Sequence, residues 1–261
     1  MTDKMLARKD GKVGYLTFNN PERHNAVSLE MWEAAAGYLE EFERDRNVRV
    51  VVITGAGGKA FISGADISKF ESERSSKEAV ERYNVAVDKA NSAVYNFPKP
   101  TIAMIRGYCI GGGVGLALCC DLRICSDGSK FGVPAAKLGL GYGYPGIKKL
   151  VDVVGPSFAK EIFYTARQFT AAEAATMGLV NRVLPDAELE GFVAGYAETI
   201  AGNAPLTVDA VKYIVGEVLK DESKRDLKRA ADLVAQCFAS KDYVEGRTAF
   251  MEKRKPAFTG S

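Results

Sequence analysis

Two short apolar runs constrain the fold of this chain more than any other feature of its sequence. They read VRVVVITG at residues 48–55 and TIAMIRG at residues 101–107. A continuous apolar run of this length is typical of a strand buried on both faces, so helices must cover it on either side. Strands alternate with helical segments through the first two-thirds of the chain, and from about residue 157 the pattern is helical throughout. We therefore expect an α/β body that carries an α-helical tail.

The charge and cysteine content argue against several classes of function. Of the 261 residues, 35 are Lys or Arg and 33 are Asp or Glu, so the net charge of +2 gives no support for binding nucleic acid through bulk charge. The five cysteines form no C-x-x-C pair, which is typical of reduced core thiols and not of a disulfide framework or a metal site. We therefore expect a cytoplasmic protein without a bound metal. Because the sequence has no signal-peptide core and no run of about 18 apolar residues, we also expect it to be soluble, with no part in a membrane.

Three consecutive glycines, Gly111–Gly113, follow an apolar strand and indicate that something approaches the backbone closely there. A dinucleotide fingerprint needs G-x-G-x-x-G or G-x-G-x-x-A, and no glycine frame here has that spacing. A P-loop needs Gly-Lys-Ser or Gly-Lys-Thr, which occurs nowhere in the chain. Glycines that only let a helix pack closely on a strand would explain one or two of the three. The remaining interpretation is a helix N-terminus whose exposed N–H groups hold a developing negative charge.

An oxyanion site usually has two donors, and a second glycine-flanked turn follows another buried strand. This turn is FISGADI at residues 61–67, directly after VVVITGAGGKA. Gly64 would let the backbone bend so that the N–H of Ala65 is free. The two turns together predict an oxyanion hole made from backbone N–H groups.

Five motifs, spaced in order along nearly the whole chain, resemble the crotonase superfamily and within it the enoyl-CoA hydratase/isomerase family. They read GAGGKAFISGADI, KPTIAMIRGYCIGGGVGLALCCDLRI, KFGVPAAKLGL, QFTAAEAATMGLVNRV and FMEKRKPAF. The resemblance implies a crotonase (ClpP-like) spiral of ββα units over residues 1–200, followed by a C-terminal α-helical trimerisation segment over residues 201–261. It also implies a homotrimer or a dimer of trimers. The implied substrate is an acyl-CoA thioester, with coenzyme A as part of the substrate and no separate cofactor.

The resemblance also assigns residues to the site. It places the thioester oxygen between the N–H groups of Ala65 and Gly112, which agrees with the reasoning from the glycines. The contacts it implies for CoA are spread over three segments: Arg23, His24 and Ala26 in PERHNA; Ser63, Asp66 and Ile67 around the first donor; and Phe250 and Lys253 in FMEKRK.

The chain departs from the family pattern at both catalytic carboxylates. Hydratases of this family carry one glutamate three residues after the middle glycine and another in F-G-x-P-E, and here those positions are Gly115 and Ala135. Neither residue can move a proton, and a positioned acid or base contributes about 10² to 10⁴-fold to a rate. We therefore expect a lyase or isomerase of fatty acid metabolism that works through an enolate but is not an efficient conventional hydratase.

Three alternatives follow from these missing carboxylates. A malonyl-type CoA decarboxylase needs no base, and some family decarboxylases carry a tyrosine where KLGLGYGYPG offers Tyr142, although they tend to have histidine where this chain has Ala65. Tyr142 would orient the substrate carboxylate or protonate the enolate, or it simply fills the vacated space. The second alternative is an acyl-CoA binder without catalysis. The third is that Glu71 or Glu73 swings in to replace the lost pair.

Overall fold

The computed structural model describes residues 2–66 and 76–261, and ten strands lie in that part of the chain. Six strands form the larger sheet in the order β1-β2-β3-β5-β7-β10, and four form a smaller sheet in the order β4-β6-β8-β9. The strands are β1 (Met5–Asp10), β2 (Val13–Phe18), β3 (Val50–Gly55), β4 (Ala60–Ile62), β5 (Thr101–Ile105), β6 (Tyr108–Ile110), β7 (Leu122–Ser126), β8 (Lys130–Gly132), β9 (Phe169–Thr170) and β10 (Arg182–Leu184).

Ten α-helices surround these sheets in the described residues. They are α1 (Leu29–Arg44), α2 (Lys77–Tyr95), α3 (Gly112–Ala117), α4 (Ala135–Leu138), α5 (Tyr144–Thr165), α6 (Ala171–Thr176), α7 (Leu189–Gly202), α8 (Pro205–Val218), α9 (Leu227–Ala239) and α10 (Lys241–Met251). No helix in the part of the chain that the structure describes is both long and apolar enough to cross a membrane.

Strand β3 is buried on both faces, as its apolar run predicts. It pairs in parallel with β2 and β5, and its alternate side chains enter two different cores. Val51 and Ile53 lie in the core that α1 and α2 cover, while Val50 and Val52 lie in the core that α7 covers. Each fully buried aliphatic side chain contributes about 1.5–3 kcal/mol, so these positions drive the layered α/β arrangement. The predicted fold class is confirmed.

The smaller sheet positions the candidate site. Strands β4, β6 and β8 are parallel neighbours, so their carboxyl ends meet at one edge of the sheet. Residues 63–66 follow β4, Gly111–Gly113 follow β6, and residues 133–135 follow β8. Three segments that the sequence singles out are therefore brought together by one sheet edge.

The structure differs from the sequence-based expectation in the C-terminal third of the chain. The chain after residue 157 is not helical throughout, because β9 and β10 lie there and pair with β8 and β7. Helix α5 already begins at Tyr144 and continues past a kink at Gly155, where φ is +74°, a value that glycine tolerates. The predicted domain boundary between residues 200 and 201 falls in the last turn of α7, a helix that packs on the sheet. The role of residues 201–261 as an oligomerisation segment stays a prediction.

Candidate functional site

In the turn after β4, the N–H of Ala65 has no acceptor among residues 2–66 and 76–261. Val27 donates from its N–H to the Gly64 carbonyl at 2.9 Å, and Asp66 donates from its N–H to the Val27 carbonyl at 3.1 Å. These two bonds form a parallel bridge between Val27 and Ala65, in which the N–H of Ala65 points away from the paired strand. No residue in the described part of the chain accepts a hydrogen bond from this N–H. It is therefore available to a ligand.

The turn after β6 presents a second N–H at the start of α3. Gly111 caps the helix with φ of +56° and donates from its N–H to the Gly132 carbonyl on β8 at 2.8 Å. The first intrahelical bond runs from the Gly115 N–H to the Gly111 carbonyl at 3.1 Å. The N–H of Gly112 precedes that bond and has no intrahelical acceptor, as is general for the first residues of a helix. A group that accepts hydrogen bonds or carries negative charge is favoured there.

Close contact between α3 and β4 holds the two turns next to each other. A Cβ added to Gly113 would clash with the Ile62 carbonyl oxygen, so the helix rests directly on the strand that leads to the first turn. Ile110 is the last residue of β6, and a Cβ added to Gly64 would lie 3.8 Å from its carbonyl oxygen. Both free N–H groups therefore belong to adjacent turns at one sheet edge, an arrangement that can hold an oxyanion.

The PERHNA turn lies against the first of these turns. The Ser63 hydroxyl donates to the Arg23 carbonyl at 3.4 Å. The side chains of Arg23 and His24 are exposed, Ala26 is buried, and the His24 ring meets the edge of Tyr108 with centroids 6.1 Å apart. The structure thus brings five of the predicted CoA contacts to the neighbourhood of Ala65, namely Arg23, His24, Ala26, Ser63 and Asp66. Their binding of CoA stays a prediction.

A buried amide that sequence reasoning missed holds the PERHNA turn in place. Asn25 donates from Nδ2 to the carbonyls of Ala56 at 2.9 Å and Ala60 at 2.7 Å, and its Oδ1 accepts from the Asn20 N–H at 2.9 Å. Its side chain is fully buried, and its φ of +53° is one that asparagine tolerates better than most residues. The signal in the sequence is an asparagine inside a turn that follows Asn-Pro.

The two positions where hydratases carry glutamate lie at the same sheet edge and hold no ionisable group. Gly115 is in the second half of α3, and a Cβ added to it would meet no described atom within 4 Å. Ala135 begins α4 directly after β8 and is 4% exposed. Neither glycine nor alanine has a side chain that donates or accepts a proton.

Tyr142 lies on the exposed segment between α4 and α5 and is 39% exposed. Its ring packs edge-on against Phe163, with centroids 5.0 Å apart. Partial burial raises the pKa of its phenol, so the group is neutral at neutral pH. Within residues 2–66 and 76–261 no hydrogen-bond partner of its hydroxyl is found, and no hydrogen bond joins it to the turns of Ala65 or Gly112.

The two predicted CoA contacts near the C-terminus lie in another part of the described chain. Phe250 is 82% exposed near the end of α10, and Lys253 is exposed just after it. Phe250 borders an apolar groove of about 860 Å³ between α8, α9 and α10. The predicted contact of these two residues with the nucleotide end of CoA stays a prediction. Ile67, Glu71 and Glu73 lie outside the described residues.

The thiols near α3 are protonated and unsuited to nucleophilic catalysis. Cys109, Cys119, Cys120 and Cys125 are free and buried. Burial raises the pKa of all four, to about 11 for Cys119 and about 12 for Cys125. In the described residues, no three His, Cys, Asp or Glu side chains group as metal ligands.

Comparison with known proteins gives one consistent family. The model of the family described as enoyl-CoA hydratase/isomerase matches residues 8–261. A crotonyl-CoA hydratase from Syntrophomonas wolfei is 36% identical over 256 residues, which are 98% of each chain. A short-chain-enoyl-CoA hydratase from Clostridium acetobutylicum is 33% identical over 253 residues, which are 97% of this chain and 96% of the relative. The crystal structure of an enoyl-CoA hydratase/carnithine racemase from Magnetospirillum magneticum has a TM-score of 0.94 and 38% identity, covering 100% of this chain and 97% of that one.

Proposed function

We propose, since the chain belongs to the enoyl-CoA hydratase/isomerase family, that it binds an acyl-CoA thioester with the thioester oxygen between the N–H groups of Ala65 and Gly112. The observation that carries this proposal is a pair of N–H groups on adjacent turns at the edge of the smaller sheet, neither of which has an acceptor among the described residues. Backbone donors of this kind are fixed before the substrate arrives, so they stabilise charge without reorganising.

The chemistry that such a pair supports is formation of an enolate. Negative charge develops on the thioester oxygen when a bond at the neighbouring carbon breaks and its electron pair moves into the carbonyl. A hydrogen bond that becomes stronger as this charge develops lowers the activation barrier. Removing one such donor slows the reaction about 10² to 10³-fold. The proposed enzyme therefore stabilises the enolate, and the substrate or another group has to provide the proton chemistry.

Efficient hydration is not proposed. Adding water across a double bond needs a group that activates the water and one that delivers a proton, and the positions for both are Gly115 and Ala135. The loss of each acid or base lowers the rate of the reaction by about 10² to 10⁴-fold. The relatives named as hydratases support the substrate class, and the two residues argue against the same rate for this chain.

Decarboxylation of a malonyl-type CoA thioester is the second candidate, and the Tyr142 phenol favours it. In this reaction the bond between the α-carbon and the carboxylate breaks, CO₂ leaves, and its electron pair forms the enolate, so no base is needed. The α-carbon then takes a proton, and a neutral phenol without a hydrogen-bond partner in the described residues suits that step.

The test incubates the purified protein separately with crotonyl-CoA, a longer trans-2-enoyl-CoA and methylmalonyl-CoA and follows each thioester by mass spectrometry. We expect little or no water addition to either enoyl-CoA. Loss of CO₂ from methylmalonyl-CoA that slows in Tyr142→Phe would support decarboxylation. The matched control is Tyr144→Phe, because Tyr144 is two residues away and 77% exposed.

Other outcomes of this experiment would redirect the assignment. Rapid water addition to crotonyl-CoA would contradict the argument from Gly115 and Ala135. Tight binding of acyl-CoA without turnover of any of the three substrates would favour a binding protein. No binding of any acyl-CoA would refute the proposed function itself.

A further inference from the structure

A chain of buried hydrogen bonds connects helices α1 and α2 to the turn of Ala65. Trp32 on α1 donates from its indole Nε1–H to the Tyr83 hydroxyl on α2 at 3.1 Å, and that hydroxyl donates to the Val27 carbonyl at 3.1 Å. All three residues are buried, with 3% of Tyr83 exposed and at most 1% of the other two. Hydrogen bonds that are shielded from water in this way are costly to break.

The Val27 carbonyl at the end of this chain belongs to the bridge that shapes the first oxyanion turn. It accepts a hydrogen bond from the Asp66 N–H at 3.1 Å as well as the one from the Tyr83 hydroxyl. The Val27 N–H donates to the Gly64 carbonyl at 2.9 Å. These backbone bonds on either side of Ala65 set the direction of its N–H. A shift of the Val27 carbonyl therefore moves the first proposed donor.

The other end of the chain lies beside the second turn. A Cβ added to Gly112 would lie 3.7 Å from Cζ2 of Trp32, so the indole stands within about one methyl group of this backbone. Because Cζ2 and Nε1 are bonded to the same ring carbon, one edge of the indole lies beside Gly112 and also binds Tyr83. The buried ring of Phe18 meets Trp32 edge-on with centroids 5.9 Å apart, which restricts rotation of the indole.

Packing alone gives no reason for polar groups at these two buried positions. A phenylalanine in place of Tyr83 would supply the same ring without a hydroxyl that needs a partner. A buried polar pair has a further effect, because any other arrangement of its neighbours leaves a donor or an acceptor without a partner. The bonds from Trp32 through Tyr83 thus favour a single placement of α1, α2 and the Val27 carbonyl.

We infer that Trp32 and Tyr83 are positioning residues for the proposed oxyanion hole. They hold the turns of Ala65 and Gly112 at the separation at which both N–H groups reach one thioester oxygen. Such donors act best within about 2.7–3.1 Å of the oxyanion, so a small displacement of either turn weakens the polarisation of the thioester. The inference rests on the proposed function, because it concerns the geometry of the two donors.

The test measures this polarisation by carbon-13 NMR of butyryl-CoA labelled at the thioester carbonyl. At saturation of the unaltered protein, we expect the carbonyl resonance to lie downfield of its position in free butyryl-CoA. Tyr83→Phe removes the hydroxyl and keeps the ring, so part of this downfield shift should be lost even when the ligand is fully bound. Tyr15→Phe is the matched control and should keep the full shift, because Tyr15 is also buried but lies in the core that α7 covers.

This resonance separates a positioning role from a merely structural one. Loss of the hydroxyl takes away the acceptor of the Trp32 indole, so the melting temperature of Tyr83→Phe should fall in either case. Only a positioning role also changes the carbonyl resonance at saturation. A folded Tyr83→Phe protein that keeps the full downfield shift would overturn the inference and leave the proposed function intact.

A second measurement needs no variant. Trp32 is the one tryptophan of the chain, so its indole N–H gives a single proton–nitrogen NMR signal. This signal should move on saturation with butyryl-CoA, because the thioester oxygen would accept a hydrogen bond from the Gly112 backbone beside the ring, and it should move less with CoA, which has no thioester. A signal that stays in place while butyryl-CoA is bound would overturn the inference. A carbonyl resonance that stays at the position of free butyryl-CoA in the unaltered protein would instead refute the proposed function, and the inference with it.

Discussion

At the scale of single residues, the site depends on backbone groups more than on side chains. The two proposed donors are N–H groups, and their positions depend on the glycine conformations before them, with φ of +115° at Gly64 and +56° at Gly111. Side chains with a Cβ rarely adopt these angles. A sequence can therefore indicate such a site only through its glycines, and both turns here contain one at the required position.

A pair of alanine substitutions tests how closely α3 rests on β4. Gly113→Ala places a Cβ against the Ile62 carbonyl and should lower the free energy of unfolding by about 1–3 kcal/mol. Gly115→Ala adds the same methyl group to the same helix, where it would meet no described atom within 4 Å, and should raise the free energy of unfolding by up to about 1 kcal/mol. Urea unfolding measures both. Two variants of equal stability would contradict the packing described for this helix.

At the scale of elements, the helices with clear local signals were the predictable ones. The segment beginning TAAE predicts a helix, and α6 begins there with a capping box in which the Thr170 Oγ1 accepts from the Glu173 N–H at 3.2 Å and Glu173 Oε2 accepts from the Thr170 N–H at 2.8 Å. Strand β1 was not predicted, because only its first residue, Met5, is buried and the other five are exposed. The strand therefore lacks the alternation of apolar and polar residues that marks a half-buried strand in a sequence. Its pairing with β2 is decided by contacts along the hairpin that composition does not reveal.

The same capping box gives a dependence of stability on pH. Hydrogen bonds from the Thr170 N–H, the Arg167 guanidinium and the Thr170 hydroxyl lower the pKa of Glu173 from 4.5 to about 2. A carboxyl group whose pKa is lower in the folded state stabilises the fold above its unfolded pKa and loses that contribution as the pH falls toward the folded pKa. The melting temperature of Glu173→Gln should therefore lie below that of the unaltered protein at pH 7, and the difference should shrink between pH 4.5 and about 2.

Glu188→Gln is the control for this prediction. The Glu188 carboxylate accepts no hydrogen bond from the described residues and the side chain is exposed. The melting temperature of Glu188→Gln should stay close to that of the unaltered protein across the same pH range. If the difference in melting temperature between Glu173→Gln and the unaltered protein persists unchanged to pH 2, the stabilisation by the capping box does not depend on the negative charge of Glu173.

At the scale of the whole molecule, the site is assembled from segments far apart in the chain. Asn25 ties the PERHNA turn to the carbonyls of Ala56 and Ala60, and α3 brings the second donor onto β4. The α/β class and the two glycine turns could be predicted from the sequence, because apolar runs and glycines are local signals. The smaller sheet as a separate unit and the role of Asn25 could not, because both arise from contacts between segments more than 20 residues apart, such as the pairing of Tyr108 with Lys130 and the bond from Asn25 to Ala60.

The central claim is that the N–H groups of Ala65 and Gly112 polarise a bound thioester, and carbon-13 NMR of butyryl-CoA labelled at the thioester carbonyl tests it most directly. At saturation we expect the carbonyl resonance to move downfield from its position in free butyryl-CoA, because two hydrogen bonds withdraw electron density from the carbonyl carbon. Ala65→Pro removes one donor, so in this variant the carbonyl resonance should move part of the way back towards its position in free butyryl-CoA. The melting temperature of the variant shows whether it is folded. A resonance that stays at the position of the free thioester while the ligand is fully bound would contradict the account.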